Sequence, residues 1–289
     1  LLSRADLSPD DRHRAQHALA LDFLKAGLLD RAEDALNKLE GTRFEAQARL
    51  GLLANYERSR DWAQAAQIAH KLETSGQGSF HTRQAHYLCE QAQACIAKHA
   101  HDQAADLLRQ AISIAPEAAR ARMELARLQQ TQGQAHLAFQ TLSGALDAAP
   151  AATALIAPAL ASYAIEAGQT ATALEQLKKV YASSPCLDVL DAIVALEAQG
   201  GTPTTSARDW YVRHLEREPS LVAAAKWIAD EKLEHEQFHP QVQRALNHAV
   251  QPLTRYRCAA CGFEAKQHFW QCPGCQTWDS YPARRVEEL

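Results

Sequence analysis

The chain has 289 residues, a formal charge of −4 and 47% hydrophobic residues, and about a fifth of its positions are alanine. Its 12 glycines and 11 prolines are too few for the turns of an all-β sandwich or barrel and favour long helices on short connections. No run approaches eighteen apolar residues, which argues against a membrane span in this stretch, and the mild acidity gives no long-range attraction to nucleic acid or to an anionic membrane.

Taken in chain order, the predicted elements repeat. A first helix pair is marked by Gly27, Ala32, Leu36 and Leu39, and a second by Trp62, Ala65 and Leu72. Ser75-Gly76-Gln77-Gly78-Ser79 then reads as an insertion that lengthens a turn. The third unit carries Ala104, Leu108, Ala111 and Pro116, with His99 in the glycine slot. The fourth carries Gly133, Ala138, Leu142, Ala145 and Pro150, and the fifth Gly168, Ala173, Leu177, Val180 and Pro185. Ala207, Tyr211, His214 and Pro219 mark the sixth. The alanines at 32, 65, 104, 138, 173 and 207 are spaced by 33, 39, 34, 35 and 34 residues. Pro158 is an irregularity at which the first helix of the fifth unit is expected to start or kink. Leu221 to His235 and Pro240 to Val250 read as a capping pair without the markers.

This period, with small-residue and proline markers, resembles the tetratricopeptide repeat. The expectation is an all-α right-handed superhelical solenoid over residues 1–251, followed by a small metal module over 252–289. In each unit two helices meet at the alanine and the proline stops the second. A lone hairpin cannot bury its apolar face, so the units must stack. Such solenoids bind peptides or protein surfaces along the face lined by their first helices. Here that face would include Gln47, Glu57, Arg58, Gln93, Arg120, Arg127 and Gln130.

Two sets of residues raise metal chemistry. His235-Glu236-Gln237-Phe238-His239 matches the H-E-x-x-H protease signature. Pro240 biases His239 away from helical geometry, no third ligand stands nearby, and the segment falls where the last hairpin should turn, so the match reads as chance. The stronger signal is at the end: Cys258-x2-Cys261, ten residues, then Cys272-x2-Cys275. Two such knuckles aim four thiolates at one tetrahedral ion. Zinc is the default for a closed four-sulfur site and iron fits the same ligands. Four protein ligands leave no open position, which favours a structural role over a catalytic one. Phe263, Phe269, Trp270 and Trp278 are expected to form a small core around the ion. From Pro252 onward there are five Lys/Arg against four Asp/Glu, and four thiolates on a divalent ion add −2, so a nucleic-acid-binding ribbon is disfavoured. Cys89, Cys95 and Cys186 read as packing residues.

The combination resembles the lipopolysaccharide assembly protein B family, tetratricopeptide proteins of Gram-negative bacteria with a rubredoxin-like tail. The stretches that carry it are Ala26-Gly27-Leu28-Leu29-Asp30-Arg31-Ala32-Glu33-Asp34, Ala85-His86-Tyr87-Leu88-Cys89-Glu90, Arg255 to Phe263, and Trp270 to Trp278. Gln276 departs from it, since glycine often follows the last cysteine. The resemblance implies a non-enzymatic regulator of lipopolysaccharide biosynthesis. It implies as partners a membrane-anchored AAA+ zinc metalloprotease, the UDP-3-O-acyl-N-acetylglucosamine deacetylase of lipid A synthesis that this protease degrades, and lipopolysaccharide transport components. It further implies a membrane helix upstream of Leu1-Leu2-Ser3, a soluble remainder on the cytoplasmic face of the inner membrane, and Cys258, Cys261, Cys272 and Cys275 as the metal ligands. An iron-dependent, redox-responsive scaffold is the alternative.

Overall fold

The computed structural model describes residues 8–199, 206–229 and 239–289. Among them are fourteen α-helices: α1 Pro9–Lys25, α2 Leu29–Asn37, α3 Glu45–Ser59, α4 Trp62–Thr74, α5 His81–Ala97, α6 His101–Ile114, α7 Ala119–Thr131, α8 Ala135–Ala148, α9 Thr153–Glu166, α10 Thr170–Ser183, α11 Leu187–Gln199, α12 Ala207–Arg217, α13 Leu221–Ala229 and α14 His239–Val250. A two-stranded hairpin, β1 Tyr256–Arg257 and β2 Glu264–Ala265, follows. No single helix among the described residues is long and apolar enough to cross a membrane.

The hairpin turns share one construction. The residue five before the marker alanine lies in the left-handed region, at Gly27, Arg60, His99, Gly133 and Gly168, with φ of 74°, 58°, 59°, 73° and 68°. Its amide donates three residues back, as Arg60 N does to Glu57 O and His99 N to Ile96 O. The next amide reaches five residues back: Leu28 to Phe23, Asp61 to Tyr56, Ala100 to Cys95, Gln134 to Gln129 and Gln169 to Ala164, all at 2.8–2.9 Å. These paired bonds satisfy carbonyls that a helix end would otherwise leave bare. His99 therefore does stand in the glycine slot, and Arg60 fills the same slot in the second unit.

Three residues before the marker, the second helix starts: α2, α4, α6, α8 and α10 all obey this register. Ala32, Ala65, Ala104, Ala138 and Ala173 are fully buried as a result. The sixth unit breaks the register. Ser206 caps α12, its Oγ accepting from Asp209 N at 3.2 Å, so the helix begins at Ala207 itself and that alanine is only half-buried. Tyr211 and His214 keep their places in the core. The helices α6, α8, α10 and α12 each stop two residues before Pro116, Pro150, Pro185 and Pro219. The insertion at 75–79 lies in the connection between α4 and α5. Pro158 neither starts nor ends its helix: α9 begins at Thr153 and runs through it, with the proline in the second turn forfeiting a backbone bond. Of the capping pair, α13 and α14 are seen, and 230–238 lie outside the described residues.

Packing divides the chain within α7 into two compact units, one up to Ala121 and the other Arg122–Leu289. In the first, α1 packs on α2, α3 on α4 and α5 on α6, with α2–α3 and α4–α5 contacts joining the hairpins. Gly51 of α3 matters here, because a Cβ on it would stand 2.9 Å from Leu36 Cδ2 of α2. In the second unit α9 packs on α8, α10 and α11, and α11 to α14 follow in succession.

One buried pair gives the second unit a pH dependence. Tyr181 Oη and His214 Nδ1 are 2.7 Å apart and the histidine is 2% exposed. Burial lowers the His214 pKa below its usual 6.5, and Glu218, Glu287 and Asp191 oppose this only in part. Below pH 6.5 the unfolded chain takes up a proton that the folded one resists, so this residue's contribution falls as pH drops through that value. His214→Gln is therefore expected to flatten the decline of the thermal midpoint between pH 7 and pH 5.5. An unchanged decline would show that His214 does not set it.

Candidate metal centre and partner surface

The four terminal cysteines are brought together by two near-identical knuckles. In the first, Gly262 N donates to Cys258 O at 2.9 Å and Cys258 N to Phe263 O at 2.9 Å. In the second, Gln276 N donates to Cys272 O at 2.8 Å and Cys272 N to Thr277 O at 3.0 Å. The β1–β2 hairpin supports the first, with Tyr256 opposite Ala265 and Arg257 opposite Glu264, and a Gln271–Trp278 bridge supports the second. Both knuckles need a left-handed residue four after their first cysteine. Gly262 supplies it at φ 77°, whereas the second knuckle forces Gln276 to φ 60°. Gln276→Gly is expected to stabilise the module by about 1 kcal/mol. The check is the rate of metal loss to a chelator, and an equal or faster rate would refute it.

All four Sγ atoms lie within 4.8 Å of one another, with Cys258 to Cys275 at 3.8 Å and Cys261 to Cys272 at 3.7 Å. A tetrahedron of thiolates about 2.3 Å from a central ion has edges of about 3.8 Å, whereas a disulfide would need about 2.05 Å. Every cysteine is free. The electrostatics ask for a cation. Burial raises the Cys258 thiol, but hydrogen bonds from the Ser280 hydroxyl and the Cys261 and Ala260 amides outweigh it and draw the pKa down to about 6. The Thr277 hydroxyl and amide lower Cys275. The Phe263 amide would lower Cys261 too, yet burial and the three neighbouring cysteines push it up to about 12. Thiolates packed this tightly repel unless an ion neutralises them. Donor set, spacing and charge all suit one metal ion.

The core beneath the cysteines differs from the expectation. Phe263 is exposed and lies against Gly274, at the outer side with Cys261 and Cys275. The buried cluster is instead Tyr256, Cys258, Cys272 and Tyr281, with Phe269, Ala265 and Leu155 of α9 packed on it. Tyr281 Oη donates to Phe263 O at 3.1 Å, and His268 Nε2 donates to Tyr281 O at 3.0 Å. Trp278 is buried as expected, and Trp270 is half-buried beside His268, ring centroids 4.7 Å apart.

The last residues form a strap across the helices of the second unit. Arg284 donates to Ser184 Oγ at 2.9 Å. Arg285 holds Asp188 of α11 through two bonds of 2.9 and 3.0 Å, donates to Thr254 O, and lies 4.3 Å over the Tyr256 ring. Glu287 accepts from Leu221 N at 2.6 Å, Val222 N at 3.1 Å and Ser220 Oγ at 2.8 Å, capping α13. Glu288 accepts from Leu187 N at 2.7 Å, capping α11. A run of arginine and glutamate at a chain end reads as a solvated tail, so no sequence signal marks this role.

Of the seven residues read as a partner surface, four tie neighbouring repeats together. Arg58 donates to Leu24 O, Glu57 accepts from Tyr87 Oη, Arg120 is 6% exposed and pairs with Glu90 at 2.8 Å, and Gln130 donates to Glu166 Oε2. These partners lie 30–36 residues apart, so the repeat period itself could have flagged them. Gln47, Gln93 and Arg127 are exposed, and burial raises the Tyr163 pKa with nearby Arg127 offsetting this only in part. His235 and Glu236 lie outside the described residues, and His239 Nε2 donates to Ile228 O at 2.9 Å. Cys89 and Cys186 are buried as expected, Cys95 half-buried.

Residues 256–281 match the rubredoxin metal binding domain. Over its full length the chain is 27% identical to lipopolysaccharide assembly protein B of Escherichia coli K12, spanning 76% of that protein. It is 26% identical to the protein of the same name from Haemophilus influenzae, over 95% of this chain and 72% of that one. The resemblance read from the residues thus extends along the whole chain. Among solved structures, the C-terminal part of a TPR repeat-containing protein from Cytophaga hutchinsonii aligns over 82% of this chain and 95% of its own, with 13% identity and a TM-score of 0.45. Pseudomonas aeruginosa pilF aligns over 77% and 99%, with 17% identity and a TM-score of 0.37.

Proposed function

We propose that the chain is a non-enzymatic adaptor in lipopolysaccharide assembly, with a repeat body over residues 1–251 and a metal module over 252–289. The observation that carries this reading is the full-length similarity to lipopolysaccharide assembly protein B together with the four-cysteine cluster at its end. Stacked helical hairpins display extended protein-binding faces, and four protein thiolates leave a bound metal no open position. In the finer reading, the adaptor holds the lipid A pathway deacetylase near a membrane-anchored AAA+ zinc metalloprotease, so that a weak encounter becomes a local one. Lipopolysaccharide transport components are further partners, and the site of action is the cytoplasmic face of the inner membrane. Gln47, Gln93 and Arg127 are the exposed candidates for contact. Glu57, Arg58, Arg120 and Gln130 support that face by fixing one repeat against the next.

Cys258, Cys261, Cys272 and Cys275 hold one ion, with zinc the assignment and a structural role. Deacetylase degradation by the reconstituted protease, followed with and without this chain in a membrane-tethered form, tests the adaptor. Equal rates would overturn direct coupling. The two exposed cysteines favour keeping an iron-dependent redox scaffold as the second reading. A protein coloured in air and bleached reversibly by dithionite would select it, and one zinc per colourless chain would select the first.

A further inference from the structure

We propose that the C-terminal strap, residues 284–288, couples metal occupancy of the four-cysteine module to the order of α11 and α13. The strap is anchored at both ends. Its root is Tyr281, a member of the buried cluster that contains Cys258 and Cys272. Only Pro282 and Ala283 separate that root from Arg284, so the position of the strap is set by the module's core. Along its length it is stitched to the segment entering the module: Val286 N donates to Arg255 O at 2.8 Å and Glu287 N to Leu253 O at 3.2 Å. At its tip, two successive glutamates cap two different helices, Glu287 on α13 and Glu288 on α11. Both caps meet amides with no partner inside the helix, where a carboxylate also meets the positive end of the helix dipole.

A module of under 40 residues with a four-residue core has little to hold it together besides its ion. When the ion leaves, the strap is no longer presented by a fixed root. It becomes the end of a flexible chain running from the end of α14, with a local concentration on the order of millimolar. The caps on α11 and α13 then become intermittent. The relation must be reciprocal. If the bound ion favours the docked strap by some factor, the docked strap favours the bound ion by the same factor. Because α11 and α13 are the first helices of the last units, metal state in this way sets the order of their exposed face.

Both directions can be tested on the whole chain with zinc as the probe. In one arm, hydrogen exchange of the amides at the starts of α11 and α13 is followed in zinc-loaded protein, in chelated protein and in Cys272→Ser. Exchange there is expected to quicken at least about fivefold without the ion, while the starts of α4 and α6 stay unchanged. In the other arm, zinc transfer to a chromophoric chelator is timed for Glu287→Gln with Glu288→Gln, against Lys266→Gln as a variant at an exposed module residue away from the strap. The strap variant is expected to lose zinc at least about fivefold faster than both the parent and this control. Unchanged exchange at α11 and α13 on metal removal, or zinc release by the strap variant within twofold of the parent, would overturn the proposal.

Discussion

Replacing Cys272 with serine is expected to release the metal and unfold the C-terminal module. Cys272 is 1% exposed, sits in the buried cluster with Tyr256 and Tyr281, and lies 3.7 Å from Cys261. Serine keeps the size but not the thiolate, so one of four bonds to the ion is lost. Structural sites of this kind bind with about 10–16 kcal/mol, and a quarter of that is about 3–4 kcal/mol, or two to three powers of ten in affinity. Within the module itself little else holds it, since its strands are two residues long and its central buried cluster is four residues. Metal content should therefore fall from one ion per chain to near zero after a mild chelator wash. Trypsin should then cut at Arg257 and Lys266 faster than it does in the metal-loaded parent. Full metal content and unchanged resistance would contradict the assignment of Cys272 as a ligand.

The residues that carry covalent or periodic constraints were legible in advance. A period of 34 demands a close helix crossing, and five of six marker alanines are fully buried at it. The sixth misleads because Ser206 is a good helix cap and starts α12 three residues late relative to the pattern. Four cysteines in two knuckles could be paired from spacing alone because each knuckle closes its own turn. The side-chain ties between repeats, which the period could have flagged, were instead read as a partner surface. Arg120 looks like a solvated arginine until its partner Glu90, one repeat back, is seen beside it, and the same holds for Gln130 and Glu166. Aromatic burial in the tail was read in part: Trp278 is buried and Phe269 packs on the cluster, but Phe263 lies on the open side of its knuckle, and Tyr256 and Tyr281, which flank the cysteines from within, were missed. The strap was invisible because capping by a distant glutamate leaves no local pattern.

Removing the countercharge of Arg285 is expected to loosen the strap more than removing any single cap. In Asp188→Ala the guanidinium loses both short bonds and stays over the Tyr256 ring with 27% of its side chain exposed. In the parent, burial would lower the Arg285 pKa but the bonds and charge of Asp188 raise it; without Asp188 the guanidinium still stays charged at any working pH, so deprotonation offers no relief. Breaking a fully buried pair costs about 3–5 kcal/mol. Solvent reaching Arg285 reduces this to about 2 kcal/mol, equivalent to roughly thirtyfold faster opening. Part of any loss belongs to α11 alone, because Asp188 lies in its first turn and favours the helix dipole by about 0.3–1 kcal/mol. The cycle with Arg285→Met separates the two. In Asp188→Ala with Arg285→Met no charge is stranded, so most of the loss should be recovered while the dipole share remains. Hydrogen exchange at the Val286 and Glu287 amides, which bond Arg255 O and Leu253 O, reports strap opening directly. A single variant whose exchange rises less than about threefold, or a double variant that opens as readily as the single, would mean that the strap is held by its glutamate caps and not by this ion pair.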